Sequence, residues 1–172
     1  MARLFNQTIT IKEMEESERE AVRKLLLECY RQFESVFEPE RWSEYVMELI
    51  ASIDHPDREI LLIAKQGEEI VGTLQLFSSS EKAYKDWEIQ IQSPIIRFLG
   101  VHPRARGLGV GTELLRSAMS CVKELGASSV FLHTTDSMEQ AVRLYEQFGF
   151  IRDPCHDIHK ENRRIKCYRF DL

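Results

Sequence analysis

The stretch Ile95-Ile96-Arg97-Phe98-Leu99-Gly100-Val101-His102-Pro103-Arg104-Ala105-Arg106-Gly107-Leu108-Gly109-Val110-Gly111-Thr112 decides how the rest of the chain is read. Ile95 to Val101 is apolar apart from Arg97 and predicts a strand. Alternating glycines follow, and then Leu114, Leu115, Ala118, Val122 and Leu125 recur at helical spacing until Gly126 stops the pattern. Val130 to Thr134 is the next predicted strand. This order makes a βαβ unit whose glycines fall at the strand-to-helix junction, where the free N–H groups of a helix N-terminus can gather an anion. Gly107, Gly109 and Gly111 let the backbone approach a ligand and take positive φ, and Arg106 adds charge. A Walker A loop is excluded because no Gly-Lys-Ser/Thr follows. The dinucleotide fingerprint fails because Thr112 stands where its last glycine should be.

Upstream, Thr8 to Met14 alternates, with Ile9 and Ile11 on one face, and predicts a strand. Ser17-Glu18-Arg19-Glu20 matches a capping box opening a helix striped by Val22, Leu25, Leu26, Cys29 and Phe33. After a break around Phe37-Glu38-Pro39, Trp42, Tyr45, Val46, Leu49, Ile50 and Ile53 mark a second helix that Asp54-His55-Pro56 ends. Ile60 to Ala64 and Ile70 to Phe77 predict an antiparallel hairpin through Gln66-Gly67-Glu68. A polar loop runs through Tyr84 and Trp87, and Glu88 to Val101 reads as extended with a break at Pro94. Downstream, Ser137-Met138-Glu139-Gln140 fits another capping box, and Ala141, Leu144, Tyr145 and Phe148 stripe a short helix stopped by Gly149. Strands near Phe150 to Arg152 and Arg164 to Phe170 finish an α/β pattern.

Composition sets the outer bounds. With 43% hydrophobic and 30% charged residues in 172, the chain has globular composition, and residues 1–172 are expected to form a single domain. The balance of 23 basic and 28 acidic residues, net −5, lacks the positive field of a non-specific nucleic-acid binder. The longest unbroken apolar run, Ile60 to Ala64, is far too short to cross a bilayer. The N-terminal residues turn polar before an export segment develops, which implies a cytoplasmic location. Cys29, Cys121, Cys155 and Cys167 are scattered and expected to be reduced. Cys155-His156-Asp157-Ile158-His159 has metal-compatible residue types but lacks a second ligand pair, so no metal is expected.

Val101-His102-Pro103-Arg104-Ala105-Arg106-Gly107-Leu108-Gly109-Val110-Gly111, followed downstream by Ala141-Val142-Arg143-Leu144-Tyr145-Glu146-Gln147-Phe148-Gly149-Phe150, resembles the GNAT superfamily of acyl-CoA-dependent N-acyltransferases. Arg106, Gly109 and Gly111 match its R-x-x-G-x-G pyrophosphate loop. The resemblance implies a central mixed sheet, flanked by helices, whose fourth and fifth strands splay apart so that the pantetheine arm pairs as a substitute strand. It implies that the backbone of Leu99, Gly100 and Val101 holds pantetheine and polarises the thioester, and that Arg106, Gly107, Leu108, Gly109, Val110, Gly111 and Thr112 hold the pyrophosphate of acetyl-CoA. Tyr145 matches the tyrosine that assists departure of the CoA sulfur, although it also fits the apolar stripe of its helix. Met138 replaces an asparagine that many relatives use on the cofactor.

The strand entering the splay, Ile95 to Leu99, offers no carboxylate, so a general base cannot be carried over. Glu88, His133 and Asp136 lie on or beside the relevant strands and are the candidates, Glu88 first. A lysine-like amine with pKa about 10.4 needs a base more than an α-amine near 8, so a low-pKa amine or a water route for the proton is expected. Relatives build the acceptor pocket from the first two helices and the loop before the glycine strand, which implicates Phe33, Phe37, Trp42, Tyr84 and Trp87. Trp42 also fits its helix stripe. The basic residues Lys160, Arg163, Arg164, Lys166 and Arg169 read as a solvated strand face or a contact for the adenosine phosphate. The expected activity is acetyl transfer from acetyl-CoA to a primary amine within a ternary complex, with no metal and no nucleic-acid or membrane partner. A homodimer is left open. The rival reading is a non-catalytic acyl-CoA sensor or partner-binding module.

Overall fold

The computed structural model describes residues 8–84, 88–160 and 162–172. In chain order the elements are β1 (Ile9–Glu13), α1 (Arg19–Tyr30), α2 (Pro39–Ser52), β2 (Arg58–Gln66), β3 (Glu69–Phe77), α3 (Ser80–Ala83), β4 (Ile95–Val101), α4 (Val110–Glu124), β5 (Ser129–Thr134), α5 (Glu139–Phe148), β6 (Ile151–Arg152), β7 (Ile158–Lys160) and β8 (Arg163–Asp171). Hydrogen bonding orders the strands β1-β2-β3-β4-β5-β8-β6, with β7 paired to β8 off that path. The sheet is mixed: β1 runs antiparallel to β2, β4 runs parallel to β5, and β8 runs antiparallel to β5, β6 and β7. Among the described residues no helix is long and apolar enough to cross a membrane. Cys29, Cys121, Cys155 and Cys167 are free thiols, and burial pushes Cys29 and Cys167 up to about 12, so neither is a ready nucleophile.

The described residues divide into two compact units, residues 8–56, 61–74 and 98–115 in one and residues 57–60, 75–84, 88–97, 116–160 and 162–172 in the other. In the first, Val22, Leu25, Leu26 and Cys29 form the buried stripe of α1, as the periodicity predicts. The helix entrance differs: Glu15 N–H donates to Glu18 Oε2 at 2.9 Å, ahead of the expected box at Ser17. Lys12 Nζ lies 3.1 Å from both Glu15 and Glu18, which draws the cap toward β1. α2 starts with Pro39 in its first turn, where the missing N–H costs nothing. Gly72 on β3 has a packing reason, because a Cβ there would lie 2.8 Å from Val110 Cγ1 and 3.0 Å from Leu114 Cδ1. Its absence lets the start of α4 settle on the strand.

In the second unit, Phe77, Ala83, Tyr84, Ile91, Ile95, Phe131 and Cys167 form one buried cluster. β4 begins at Ile95, as expected, while the stretch from Glu88 to the break at Pro94, read as extended, forms no strand. Ser80 takes the intervening backbone, accepting from Ile91 N at 2.8 Å and donating to Ile89 O at 3.0 Å. The capping box expected at Ser137 is also displaced: Met138 is the N-cap of α5 without a side-chain bond, and Ser137 Oγ pairs with Thr135 Oγ1 at 2.7 Å. β7 was not legible in the sequence. Asp157, whose side chain has no accessible surface, holds it in place by accepting from Arg152 on β6 at 2.7 and 2.8 Å and from Arg164 on β8 at 2.8 Å, and from Cys167 N at 2.7 Å. The basic C-terminal stretch is therefore largely an internal ion-pair partner, since Lys166 also binds Asp136 at 2.6 Å and Arg169 binds Asp171 at 3.0 Å.

Candidate active site

Gly107 and Gly109 take φ of +77° and +81°, the left-handed region that favours glycine. No atom lies within 4 Å of where a Cβ would stand at either, so conformation and not crowding selects glycine. Gly111 has a different job: it is buried in the first turn of α4 with negative φ. The first helical bond of α4 runs from Glu113 N to Gly109 O at 3.0 Å. The N–H groups of Val110, Gly111 and Thr112 thus precede the hydrogen-bonded ladder and sit at the positive end of the helix dipole. Open space beside two left-handed glycines, with these donors, suits a diphosphate.

Arg106, the charge of this turn, donates to Gln32 Oε1 at 3.1 Å and to Cys29 O at 3.4 Å. It thereby satisfies a carbonyl at the C-terminal end of α1, which the helix itself leaves without a partner. Gly100 makes the approach possible, because a Cβ there would be 3.1 Å from Cys29 Cβ. Tyr30 donates its hydroxyl to Leu99 O at 3.0 Å, so α1 also fixes the far end of β4. His102 Nδ1 accepts from Arg104 N at 3.2 Å, which leaves Nε2 as the donor to Glu28 at 3.1 Å.

β4 and β5 pair only at Ile95↔Phe131 and Ile96↔Leu132, although β4 continues to Val101. β5 is meanwhile paired to β8 along its whole length, from Ser129↔Asp171 to Thr134↔Lys166. Beyond Ile96, β4 therefore stops using its β5-facing edge for strand pairing, and those backbone groups are of the kind an extended ligand arm can take. Phe98 lies in this stretch with φ of +51°, a conformation that costs a bulky residue about 1 to 3 kcal/mol. Such a twist re-aims the neighbouring N–H and C=O groups, as a bulge does.

At the last β4–β5 pair, Arg97 and His133 follow on their respective strands. His133 Nε2 is 2.9 Å from the carbonyl oxygen of His156, which can only accept, so Nε2 carries the hydrogen. Nδ1 is then the acceptor, and Tyr84 donates its hydroxyl to it at 2.9 Å. Arg97 donates to Ala83 O at 2.8 Å, and its guanidinium carbon lies 4.8 Å from the centre of the Tyr84 ring. Burial lowers His133 to about 4, so it is neutral near pH 7 and a weak proton acceptor.

Tyr145 is buried on α5, its ring 5.7 Å from Phe150, and burial raises its phenol above the ordinary value. Glu88 is exposed outside any helix or strand, and Asp136 is exposed and paired to Lys166. Phe37 stacks on Trp42, with ring centres 6.2 Å apart, while Phe33 meets Tyr30 at 6.0 Å. Tyr84 belongs to the other compact unit, and Trp87 lies outside the described residues. Among the described residues no group of three or more His, Cys, Asp and Glu side chains is placed to hold a metal. Sequence reasoning missed Tyr30, Gln32 and the twist at Phe98. Tyr30 follows Cys29 on the apolar stripe, and that position was the only signal available.

Residues 19–150 match the family described as Acetyltransferase (GNAT) family. An uncharacterized N-acetyltransferase of Schizosaccharomyces pombe is 44% identical over 52 residues, covering 30% of this chain and 32% of that protein. N-alpha-acetyltransferase 30 of Xenopus laevis is 30% identical over 95 residues, covering 55% of this chain and 33% of that protein. The matched segments thus span about a third of these relatives' own length. The fold aligns with the crystal structure of paiA N-acetyltransferase from Thermoplasma acidophilum in complex with coenzyme A at TM-score 0.70 and 14% identity, covering 96% of this chain and 99% of that one.

Proposed function

The chain belongs to the acetyltransferase (GNAT) family, and from that premise we propose that it moves an acetyl group from acetyl-CoA to a primary amine by direct attack within a ternary complex. The observation that carries this reading is the open glycine turn at the head of α4, directly downstream of a strand that leaves its partner after Ile96. Acetyl-CoA supplies an activated thioester. The N–H groups of Val110, Gly111 and Thr112, with Arg106, neutralise the diphosphate, and Arg106 exchanges its contacts with Gln32 and Cys29 for phosphate oxygens or shares them. The backbone around Leu99, re-aimed at Phe98 and fixed from behind by Tyr30, directs an N–H at the thioester oxygen.

Tyr145 donates a hydrogen bond to the departing sulfur. A thiol titrates near 8.5 and an ordinary phenol near 10, so complete proton transfer from tyrosine is already uphill by about 2 kcal/mol. Burial of Tyr145 widens that gap, which favours a hydrogen bond over transfer. The amine proton leaves through water, because His133 is a weak acceptor and Asp136 is held by Lys166. Glu88, exposed, remains the carboxylate to which such water connects. Phe33, Phe37 and Trp42 line the acceptor side.

The reading is tested by mixing the protein with acetyl-CoA and a panel of primary amines while following free thiol. CoA release that requires an amine and yields the N-acetyl product is the expected result. Binding of acetyl-CoA with no release from any amine would replace the enzyme with a sensor or partner-binding module.

A further inference from the structure

The turn before α4 carries two arginines in different electrostatic settings. Arg104 Nη2 lies 2.6 Å from Glu69 Oε2, an ion pair that neutralises it. Arg106 has no carboxylate partner among the described residues, and its two acceptors, Gln32 Oε1 at 3.1 Å and Cys29 O at 3.4 Å, are uncharged. Arg19 and Arg23 of the same compact unit follow the Arg104 pattern, since Glu16, Glu20 and Asp54 meet them. An amide therefore stands beside Arg106 where its neighbours receive a carboxylate.

Gln32 also donates Nε2 to Cys29 O at 3.2 Å, which closes a ring of three groups. The amide nitrogen can only donate and the Cys29 carbonyl can only accept, so Gln32 Oε1 is turned to the guanidinium. Cys29 lies in the last turn of α1, at the negative end of the helix dipole, which favours a cation. Of the five N–H donors of a guanidinium, two are engaged in these bonds and three are left for a ligand. Gln32 is exposed, and a bond there adds little to stability because water competes for both partners. What it supplies is direction: an arginine held at two points loses less rotamer freedom when a ligand binds. A glutamate in the same place would pair with the guanidinium and compete with phosphate for its charge.

We propose that Gln32 is a positioning residue of the cofactor site: it fixes the Arg106 guanidinium without neutralising it, so that the charge is kept for a diphosphate. The inference rests on the acetyl-CoA reading for its ligand and adds to it a residue, outside the glycine turn, that sets the affinity.

The test is calorimetric titration of the full chain with CoA and with pantetheine, which has the same arm and no phosphate, in the unaltered protein, Gln32→Glu and Gln32→Leu. Gln32→Glu is expected to weaken CoA binding by about tenfold or more in low salt, because a charge-assisted contact to the diphosphate is exchanged for one within the chain. Gln32→Leu keeps the charge and loses the direction, for a loss of roughly two- to fivefold. Added salt should weaken CoA binding less steeply in Gln32→Glu than in the unaltered chain, since one cation is already neutralised. Pantetheine should bind all three proteins alike. Placed on top of Arg106→Met, Gln32→Leu should add no further loss, the mark of a residue that acts through another. A parallel loss of pantetheine binding or an additive loss in the double variant overturns the proposal. If the unaltered chain binds no CoA, the acetyl-CoA reading and this inference fall together, whereas CoA binding that both Gln32 variants leave unmoved overturns this inference alone.

Discussion

At the scale of single residues two side chains carry predictions, and burial shapes both. Tyr145 has no hydrogen-bond partner among the described residues and a phenol made less acidic by its surroundings. In the proposed mechanism, removing its hydroxyl deletes an interaction needed only as the sulfur departs. Tyr145→Phe should therefore lower kcat by about a hundredfold with CoA affinity little changed. Parallel measurement of turnover and equilibrium CoA binding checks this, and unaltered turnover would remove Tyr145 from the mechanism. His133 acts on stability. Its value of about 4 in the folded chain lies below the ordinary 6.5, so between those pH values the unfolded chain binds a proton that the native chain refuses. Stability must then fall as pH drops from 6.5 toward 4, by on the order of 3 kcal/mol, and level off below. His133→Asn removes the titration while retaining an acceptor for Tyr84. Urea denaturation of both proteins from pH 7 to 4 should show their difference changing across that window. A constant offset would mean that His133 titrates normally.

Elements explain why part of this was legible and part was not. The stripe of α1, that of α4 as far as Val122 and the glycine turn are written locally, because periodicity and backbone conformation are properties of neighbouring residues, whereas of the stripe expected on α2 only Leu49 and Ile53 are buried and Ile50 is exposed. The fourth strand could likewise be placed from Ile95 to Val101. Nothing local announces that Tyr30 will reach Leu99, a contact across 69 positions, or that Ser80 will take the backbone of Ile89 and Ile91. The aromatic residues of the proposed acceptor pocket are legible as residue types, but which rings they meet, Phe37 with Trp42 and Tyr84 with His133, depends on tertiary packing. β7 is the clearest case. Its three residues have little strand pattern of their own and are held by one carboxylate, Asp157, whose acidity the Arg152 guanidinium, then the Cys167 N–H and Arg164, strengthens well beyond the carboxylate norm. Such a group contributes stability above its unfolded pKa of about 4 that is lost as pH falls through its folded value. Asp157→Asn keeps the shape and removes the charge, leaving two guanidinium groups without their partner. A loss of about 2 to 4 kcal/mol is expected, less than for a fully buried pair because Arg152 and Arg164 are partly exposed. Thermal denaturation at pH 7 measures it, and a change under 1 kcal/mol would show that β7 is held by its backbone ladder alone.

For the whole molecule, the informative fact is where its two contact-defined units divide. Besides the one between Pro56 and Asp57, in the connection from α2 to β2, four boundaries fall between Ile60 and Leu61, Leu74 and Gln75, Arg97 and Phe98, and Leu115 and Arg116. Each of these four lies inside an element: β2, β3, β4 and α4 respectively. A strand or helix propagates its hydrogen bonds residue by residue, so half of it cannot melt without exposing the other half. We therefore propose that the chain unfolds as one cooperative domain. Ligand linkage sharpens the test, since acetyl-CoA at about 100 times its Kd should add roughly 2.7 kcal/mol. For a chain of this length that raises Tm by about 5 to 10 °C. Scanning calorimetry should give a single endotherm whose calorimetric and van't Hoff enthalpies agree. Acetyl-CoA and CoA should move the whole of it upward, and ATP, which lacks the pantetheine arm that β4 would pair with, should not. Two resolved endotherms with only one responding would mean that the units melt separately despite sharing their strands. A single endotherm moved equally by ATP would mean that the glycine turn binds phosphates without selecting the acyl carrier.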